Sequence, residues 1–93
     1  MERSITHNPS RNRFEMEVEG STAYVRYISF AGGLDIVSTQ VPAELEGRGI
    51  ASALTKYVLE YAMEKGLKII PSCSFTSAYM RRYPEYKKLT VEY

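Results

Sequence analysis

A glycine-rich segment in the middle of the chain has the residue types needed to bind an anion. Gly47 and Gly49 flank Arg48, just before an amphipathic pattern that starts at Ile50. The first N–H groups of a helix have no partner within the helix, and the helix dipole adds partial positive charge there. Such a helix start binds phosphate readily, and glycine lets the ligand approach the backbone closely. The guanidinium of Arg48 could add a charged contact to the same anion.

The Gly-x-Gly spacing does not by itself specify a ligand. A tight turn from strand to helix explains the same spacing and, on spacing alone, is the favoured alternative. The segment is not a P-loop, because the Gly-Lys-Ser/Thr ending is absent. It is not a dinucleotide-binding fingerprint either, because Ser52 stands where the third glycine would be.

The residues before this segment predict three strands joined by short turns. Residues 14–19 alternate strictly between apolar side chains and glutamates, which is typical of a half-buried strand. Residues 22–30 and 34–41 are rich in β-branched, aromatic and aliphatic side chains and predict two more strands. Gly-containing turns separate the three, so we expect an antiparallel three-stranded meander. Residues 1–12 are polar and predict a loosely ordered arm or a short edge strand.

The residues after the segment predict a β-α-β unit. Apolar side chains recur at three- and four-residue spacing from Ile50, and Gly66 is a suitable helix cap after Lys65. The short apolar run 67–70 predicts a buried strand, which a crossover helix would place parallel to strand 34–41. The chain therefore has the pattern of an α+β fold.

The C-terminal part predicts a short second helix. Ser74 or Thr76 could cap its start, and Pro84 disfavours helical geometry at Tyr83 and so ends it. Residues 86–93 could form one last short strand.

Composition limits the functions open to this chain. Its 93 residues suffice for one domain, 1–93, and its formal net charge of +1 selects neither a polyanion nor a membrane surface. Outward glutamates on the first predicted strand also disfavour nucleic-acid binding. One cysteine fits a reducing compartment, and no segment resembles a signal peptide or a membrane span. We expect a cytoplasmic protein with no nucleic-acid or membrane partner.

The single histidine, His7, lies in the polar N-terminal segment, so we interpret it as a surface residue. One histidine together with one cysteine does not provide the ligands of a metal site, so we expect none.

Three ordered blocks resemble the GCN5-related N-acetyltransferases, and most closely a short single-domain subfamily that binds acetyl-coenzyme A (acetyl-CoA). They are Val41 to Ala51, with Val-Pro-x-x-x-x-Gly-x-Gly-Ile-Ala; Gly66 to Cys73, with Gly-Leu-Lys-x-x-Pro-x-Cys; and Tyr79 to Tyr86, with Tyr-x-x-Arg-x-Pro-Glu-Tyr. The resemblance covers nearly the whole chain from Phe14 onward. In the wider family the glycine-rich motif begins with Gln or Arg, where this chain has Glu44.

The resemblance implies that acetyl-CoA is the co-substrate and lies between two parallel strands that splay apart, 34–41 and 67–72. Pro42 and Pro71 fit this independently, since each removes a ladder donor near the point of separation. The pantetheine arm would bond the first strand, and the pyrophosphate would accept bonds from the helix start. The implied cofactor-binding residues are Gln40, Val41, Glu46, Gly47, Arg48, Gly49, Ile50, Ala51 and Tyr79.

The resemblance also suggests catalytic residues for transfer to an amine acceptor. Tyr79 matches a family tyrosine near the thioester sulfur and could protonate the departing thiolate, while the backbone N–H of Val41 could bond the carbonyl oxygen. An amine with a pKa of ~10.4, such as lysine, must lose a proton before it attacks. Glu44 is the nearest candidate base, or a solvated surface carboxylate. Cys73 precedes a helix start, where a thiolate is stabilised, and is either an acyl carrier or part of the pocket wall.

The acceptor side departs from full-length relatives. Those proteins have helices between their first two strands that help to build the acceptor pocket, whereas this chain has only the turn at Gly20-Ser21. The sequence therefore supports acetyl-CoA binding more directly than any acceptor. The leading hypothesis is a small N-acetyltransferase acting on an unknown amine, a small molecule or a protein. The alternative is a non-catalytic CoA-binding or protein-interaction module on the same fold.

Overall fold

A computed structural model describes residues 4–90 and contains one mixed sheet with strand order β1-β2-β3-β4-β5. Strands β1 to β4 are antiparallel, and β5 is parallel to β4. A long helix, α1, connects the two parallel strands, and a shorter helix, α2, follows β5. The predicted α+β fold, with its meander and β-α-β unit, is confirmed. The elements are β1 (Ile5–Asn8), β2 (Arg13–Val18), β3 (Ser21–Phe30), β4 (Gly33–Gln40), α1 (Ile50–Lys65), β5 (Lys68–Pro71) and α2 (Ser74–Arg82).

One face of the sheet carries the hydrophobic core. Its buried side chains alternate along each strand and pack against the apolar stripe of α1. Removing one aliphatic or aromatic side chain of this kind from water stabilises the fold by about 1.5–3 kcal/mol. The opposite face remains open, and Ile28 is 52% exposed there. The buried hydrophobic residues of the sheet are Phe14, Met16, Val18, Ala23, Val25, Tyr27, Leu34, Ile36 and Ile69, and those of α1 are Ile50, Leu54, Val58, Leu59 and Ala62.

The N-terminal strand is held by its pairing with β2 and by the packing of His7. Ile5–Asn8 pairs with β2 as an edge strand. Of the two alternatives predicted for the N-terminal residues, the short edge strand and not the loosely ordered arm describes residues 5–8. Because His7 lies opposite Phe14 in the ladder, it faces the core side, and its ring stacks on Phe14 with centroids 4.2 Å apart. Its Nε2 lies 2.5 Å from the hydroxyl of Tyr27. The interpretation of His7 as a surface residue was wrong, because strand pairing turns its side chain toward the core face.

The setting of His7 predicts a loss of stability in mild acid. Partial burial lowers the pKa of His7 below its usual 6.5, so the unfolded chain takes up a proton more readily than the folded one. This contribution to the free energy of unfolding is present above about pH 6.5 and is lost as the pH falls toward the lower pKa of the folded state. Urea titrations between pH 7.5 and about 5 should show the decline, and His7→Phe should flatten it. An unchanged slope in the variant would assign the decline to other groups.

The C-terminal segment departs from the predicted strand 86–93. Pro84–Leu89 is a 3-10 helix, and Thr90 makes a single parallel bridge with Ile69. Residues 91–93 of that prediction lie outside the described residues. Tertiary packing decides the local structure here: Tyr86 is 4% exposed, and its hydroxyl donates a 2.6 Å bond to Glu60 of α1. Within residues 4–90, no helix is long and apolar enough to cross a membrane.

Candidate active site

The two parallel strands separate halfway along β4. The last paired residues are Ile36 and Pro71, after which the amide of Cys73 donates a 2.8 Å bond to the carbonyl of Ile36. The β3–β4 register shifts at the same point, since Tyr27 faces Ile36 but the preceding residue faces Ser38. The extra residue is a β-bulge, which bends the strand. The second half of β4, 37–40, therefore has no strand partner on its β5 side among the described residues.

The glycine-rich loop leads directly into α1. Gly47 and Gly49 have positive φ angles of 82° and 75°, and Gly49 is the residue that precedes the helix. The helical hydrogen bonds begin with the amide of Ala53, which donates to the carbonyl of Gly49, so the preceding amides are not used within the helix. A Cβ built on either glycine would meet no atom within 4 Å. The loop thus presents free N–H groups beside open space, as the phosphate site predicted from the sequence requires.

Two side chains of this loop bind the β2–β3 turn. Arg48 donates a 2.7 Å bond to Glu19, and Glu44 accepts a 2.7 Å bond from the hydroxyl of Ser21. The guanidinium of Arg48 is thus engaged by a carboxylate and would have to exchange partners to meet a phosphate. The hydrogen bond from Ser21 lowers the pKa of Glu44 below its usual value, which makes this carboxylate a weaker base. The lowered pKa favours the alternative in which Glu44 is a solvated surface carboxylate and not a catalytic base.

A cleft between α1 and α2 continues from the loop. Two adjacent cavities, of about 210 and 170 Å³, share Ser52 and Phe75 as lining residues. The first is lined by Val41 and by the predicted loop residues except Arg48, and the second is lined by Tyr79. The cleft therefore brings together most of the residues that the sequence assigned to the cofactor. The first is lined by Val41, Leu45, Glu46, Gly47, Gly49, Ile50, Ala51, Ser52 and Phe75, and the second by Ser52, Phe75, Ala78, Tyr79, Arg82 and Tyr83.

Cys73 lies where the strands part and immediately precedes α2. It occupies the capping position that the sequence assigned to Ser74 or Thr76, and its sulfur lies 3.5 Å from the hydroxyl of Thr39 on β4. Partial burial raises the pKa of the thiol, but the N–H groups of Thr76 and Phe75 and the hydroxyl of Thr39 outweigh it. The net result is a pKa below its usual 9.0. The thiol is half-buried and its thiolate is stabilised, as a nucleophile requires.

Tyr79 belongs to a small aromatic cluster at the far end of the cleft. Its ring centroid lies 4.6 Å from that of Tyr83 and 6.2 Å from that of Tyr86. Partial burial, followed by the nearby Tyr83 and Glu85, raises the pKa of Tyr79 above its usual 10.0. The phenol therefore keeps its proton at neutral pH and is suited to donate it.

The sequence did not identify Thr39, Ser52 and Phe75 as site residues. Ser52 lies on the first turn of α1 beside the loop and was considered only as a missing glycine. Thr39 and Phe75 reach the site through the separation of β4 from β5 and the packing of α2. No local spacing signals such contacts, because they join residues more than twenty positions apart.

Comparison with known proteins agrees with this geometry. The family model described as GCN5-related N-acetyl-transferase matches residues 13–89. The chain belongs to the GCN5-related N-acetyltransferase family. The matched range contains the splayed strands, the loop, both helices and Cys73. Among the described residues, no group of three or more histidine, cysteine or acidic side chains could hold a metal ion.

Proteins similar to this chain come from animals and from a bacterium. The chain is 30% identical over 84 residues to Protein NATD1 of Mus musculus, covering 86% of this chain and 76% of the mouse protein. The corresponding protein of Gallus gallus is also 30% identical over 84 residues, with the same coverage. A GCN5-like protein from Staphylococcus aureus, solved by NMR, superposes with a TM-score of 0.73 at 30% identity, covering 97% of this chain and 89% of that one.

Proposed function

We propose that this member of the N-acetyltransferase family binds acetyl-CoA in the α1–α2 cleft and transfers the acetyl group to an amine. The observation that carries the proposal is the arrangement of the helix start. Two glycines with positive φ and open Cβ positions lie beside a β4 edge that has lost its strand partner. This combination offers N–H groups for a pyrophosphate and a free backbone edge for an extended amide-containing chain.

The residues present fit the pyrophosphate, the pantetheine arm and the thioester of the co-substrate. The amides at 47–51 would bond the pyrophosphate, and the edge near Gln40 and Val41 would bond the amides of the pantetheine arm as an added strand does. The arm would then run from the helix start toward Ile36, where β4 and β5 meet and Cys73 lies. Unpaired N–H groups along this edge could also bond the thioester oxygen.

When bound, acetyl-CoA supplies a thioester whose acetyl group can be transferred. In the route through Cys73, the Cys73 thiolate forms a bond to the carbonyl carbon of the thioester, and the bond from that carbon to the CoA sulfur breaks. Tyr79 gives its proton to the departing sulfur, since its raised pKa keeps it protonated until then. The acceptor nitrogen then takes the acetyl group from Cys73 and loses a proton, which restores the Cys73 thiolate and, through solvent, the Tyr79 phenol.

Direct attack by the amine on the thioester needs no acyl-Cys73. The acceptor must still lose a proton, and Glu44, with its lowered pKa and its bond from Ser21, is a weak candidate for that base. The lowered pKa of Cys73 and its position where β4 and β5 separate favour the covalent route.

Binding and turnover are tested separately. We expect acetyl-CoA at about one hundred times its Kd to stabilise the fold by about 2.7 kcal/mol, because it binds only the folded chain. With a panel of primary amines, we expect CoA thiol to be released and to be detected with a thiol reagent. Binding without release for any amine would support the non-catalytic alternative. No thermal shift with millimolar acetyl-CoA or CoA would overturn the proposed function itself.

A further inference from the structure

We infer that a second cavity beside α2, separate from the α1–α2 cleft, binds a short aliphatic carboxylate. This cavity, here called the α2 cavity, has a volume of about 450 Å³, within the range of small-ligand sites. The inference goes beyond the proposed function and does not depend on it. The residues that line the α2 cavity include Ser77, Met80 and Arg81 of α2, Pro71 at the end of β5, and Pro84 and Lys87 of the 3-10 helix that follows α2.

The α2 cavity and the α1–α2 cleft lie on different sides of α2. Residues three and four apart share one side of a helix, and Ser77, Met80 and Arg81 have this spacing. Ala78 and Arg82, which are also four apart, line the α1–α2 cleft. A ligand of the α2 cavity therefore meets a different side of the helix from the one proposed to meet acetyl-CoA.

The α2 cavity has an apolar floor and a cationic rim. Met80 is 6% exposed and Pro71 is half-buried, so these two side chains form its deeper part. Arg81 and Lys87 are exposed, so their charged groups lie at the rim. A ligand that fits both parts has an apolar body and an anionic end.

Neither rim cation has an acidic partner among residues 4–90. Arg81 donates a 3.4 Å bond to the neutral hydroxyl of Ser77, and neither Arg81 nor Lys87 takes part in an ion pair with a described residue. Within the same range, no aspartate or glutamate lines the cavity. A guanidinium binds a carboxylate through two parallel hydrogen bonds, and a neighbouring ammonium adds charge. The charge complement of the rim is therefore a carboxylate.

The apolar lining favours an aliphatic body for the ligand. Pro71, Met80 and Pro84 carry no aromatic ring, so an aromatic ligand would find no stacking partner among them. Methylene groups gain free energy from burial without a directional requirement, and a methionine side chain adapts its shape to them. A short methylene chain that ends in a carboxylate meets both requirements of the cavity.

Two pairs of cations, close in sequence, lie at different sites. Arg81 and Lys87 line the α2 cavity, whereas Arg82 lines the α1–α2 cleft and Lys88 lines a third cavity beside Gly66. Each member of one pair is the sequence neighbour of the same residue type in the other pair. Neutralising either pair changes the net charge equally, so the second pair is a matched control for the first.

An NMR titration with sodium hexanoate tests the inference. We expect saturable amide shifts that are largest at Ser77, Met80, Arg81 and Lys87, and no added shifts at 47–51, with or without saturating CoA. Hexanol has the chain without the charge, and acetate has the charge without the chain. Each should bind about tenfold more weakly or worse, because one of the two kinds of contact is lost.

The matched double variants assign the binding to named cations. Arg81→Gln with Lys87→Gln should weaken hexanoate binding by about tenfold or more, since the charge-assisted bonds are lost. Arg82→Gln with Lys88→Gln should leave the Kd for hexanoate within about twofold, because salt screens distant exposed charges. Exposed substitutions of this kind change stability little, and thermal melts check that both variants stay folded.

Several results would overturn the inference. One is the absence of saturable shifts up to about 20 mM hexanoate, since so weak an affinity marks non-specific contact. Others are equal binding of hexanol, equal losses in the two double variants, tighter binding of inorganic phosphate than of hexanoate, and displacement of hexanoate by CoA. Failure of the proposed function is seen separately, as the absence of shifts at 47–51 with CoA, and leaves the hexanoate titration unchanged.

Discussion

Gly49→Glu should abolish acetyl-CoA binding while the protein stays folded. The glycine has a φ of 75° and precedes α1, and a side chain there points into open space next to the free helix amides. A glutamate would place a carboxylate at the proposed pyrophosphate site, so repulsion and exclusion would act together. Thermal melts with saturating acetyl-CoA measure the result, and we expect the ligand-induced stabilisation, about 2.7 kcal/mol at one hundred times Kd, to fall to nothing.

Gly66→Glu is the matched control for this variant. Gly66 caps the other end of α1 with a φ of 69°, and its Cβ position is equally open. Both variants therefore carry the cost of a non-glycine residue in the left-handed region, about 1–2 kcal/mol. We expect only Gly49→Glu to lose the ligand response. A normal acetyl-CoA shift in folded Gly49→Glu would falsify the placement of the pyrophosphate.

Incubation with acetyl-CoA should add one acetyl group to the intact protein, and Cys73→Ala should eliminate this adduct completely. Cys73 is the only cysteine in the chain, and its lowered pKa increases the fraction of thiolate at a given pH. Intact-mass spectrometry without an acceptor measures the adduct, and adding an amine acceptor should discharge it. Cys73→Ala should still bind acetyl-CoA, because the loop amides are untouched.

The pH dependence of this acetylation has a definite direction. Its rate should rise as the thiol deprotonates, with a midpoint below pH 9.0, because the folded pKa is lowered. Thr39→Val removes the hydroxyl that lies 3.5 Å from the sulfur and should move the profile to higher pH. A wild-type protein that binds acetyl-CoA yet remains unmodified would make Cys73 part of the pocket wall and leave direct attack as the route.

Local patterns predicted most of the elements because their causes are local. Alternation fixed β2 to within a residue of its observed bounds, Arg13–Val18. The three- and four-residue spacing and the cap at Gly66 predicted α1, Ile50–Lys65. Predictions failed where distant contacts decide the structure. Residues 86–89 form a 3-10 helix because Tyr86 packs against α1 and bonds Glu60, and no pattern within those residues records that contact.

The candidate site likewise has parts that local sequence could predict and parts that distant contacts decide. The glycine-rich loop could be placed from sequence because a helix start and its free amides follow from adjacent residues. The engagement of Arg48 by Glu19 and of Glu44 by Ser21 could not, because both partners belong to the β2–β3 turn. His7 was misjudged for a related reason: its polar neighbours in sequence concealed a stacked position on Phe14.

The sequence alone determined the strand and helix order, the glycine-rich helix start and, through three ordered motifs, the family. These features depend on side-chain period, backbone freedom and residue type, all of which are local properties of the chain. Only the tertiary structure decided which groups meet: Cys73 with Thr39, and the loop with Tyr79 along one cleft. Strand register and helix packing set these contacts, since they bring together residues that are far apart along the chain.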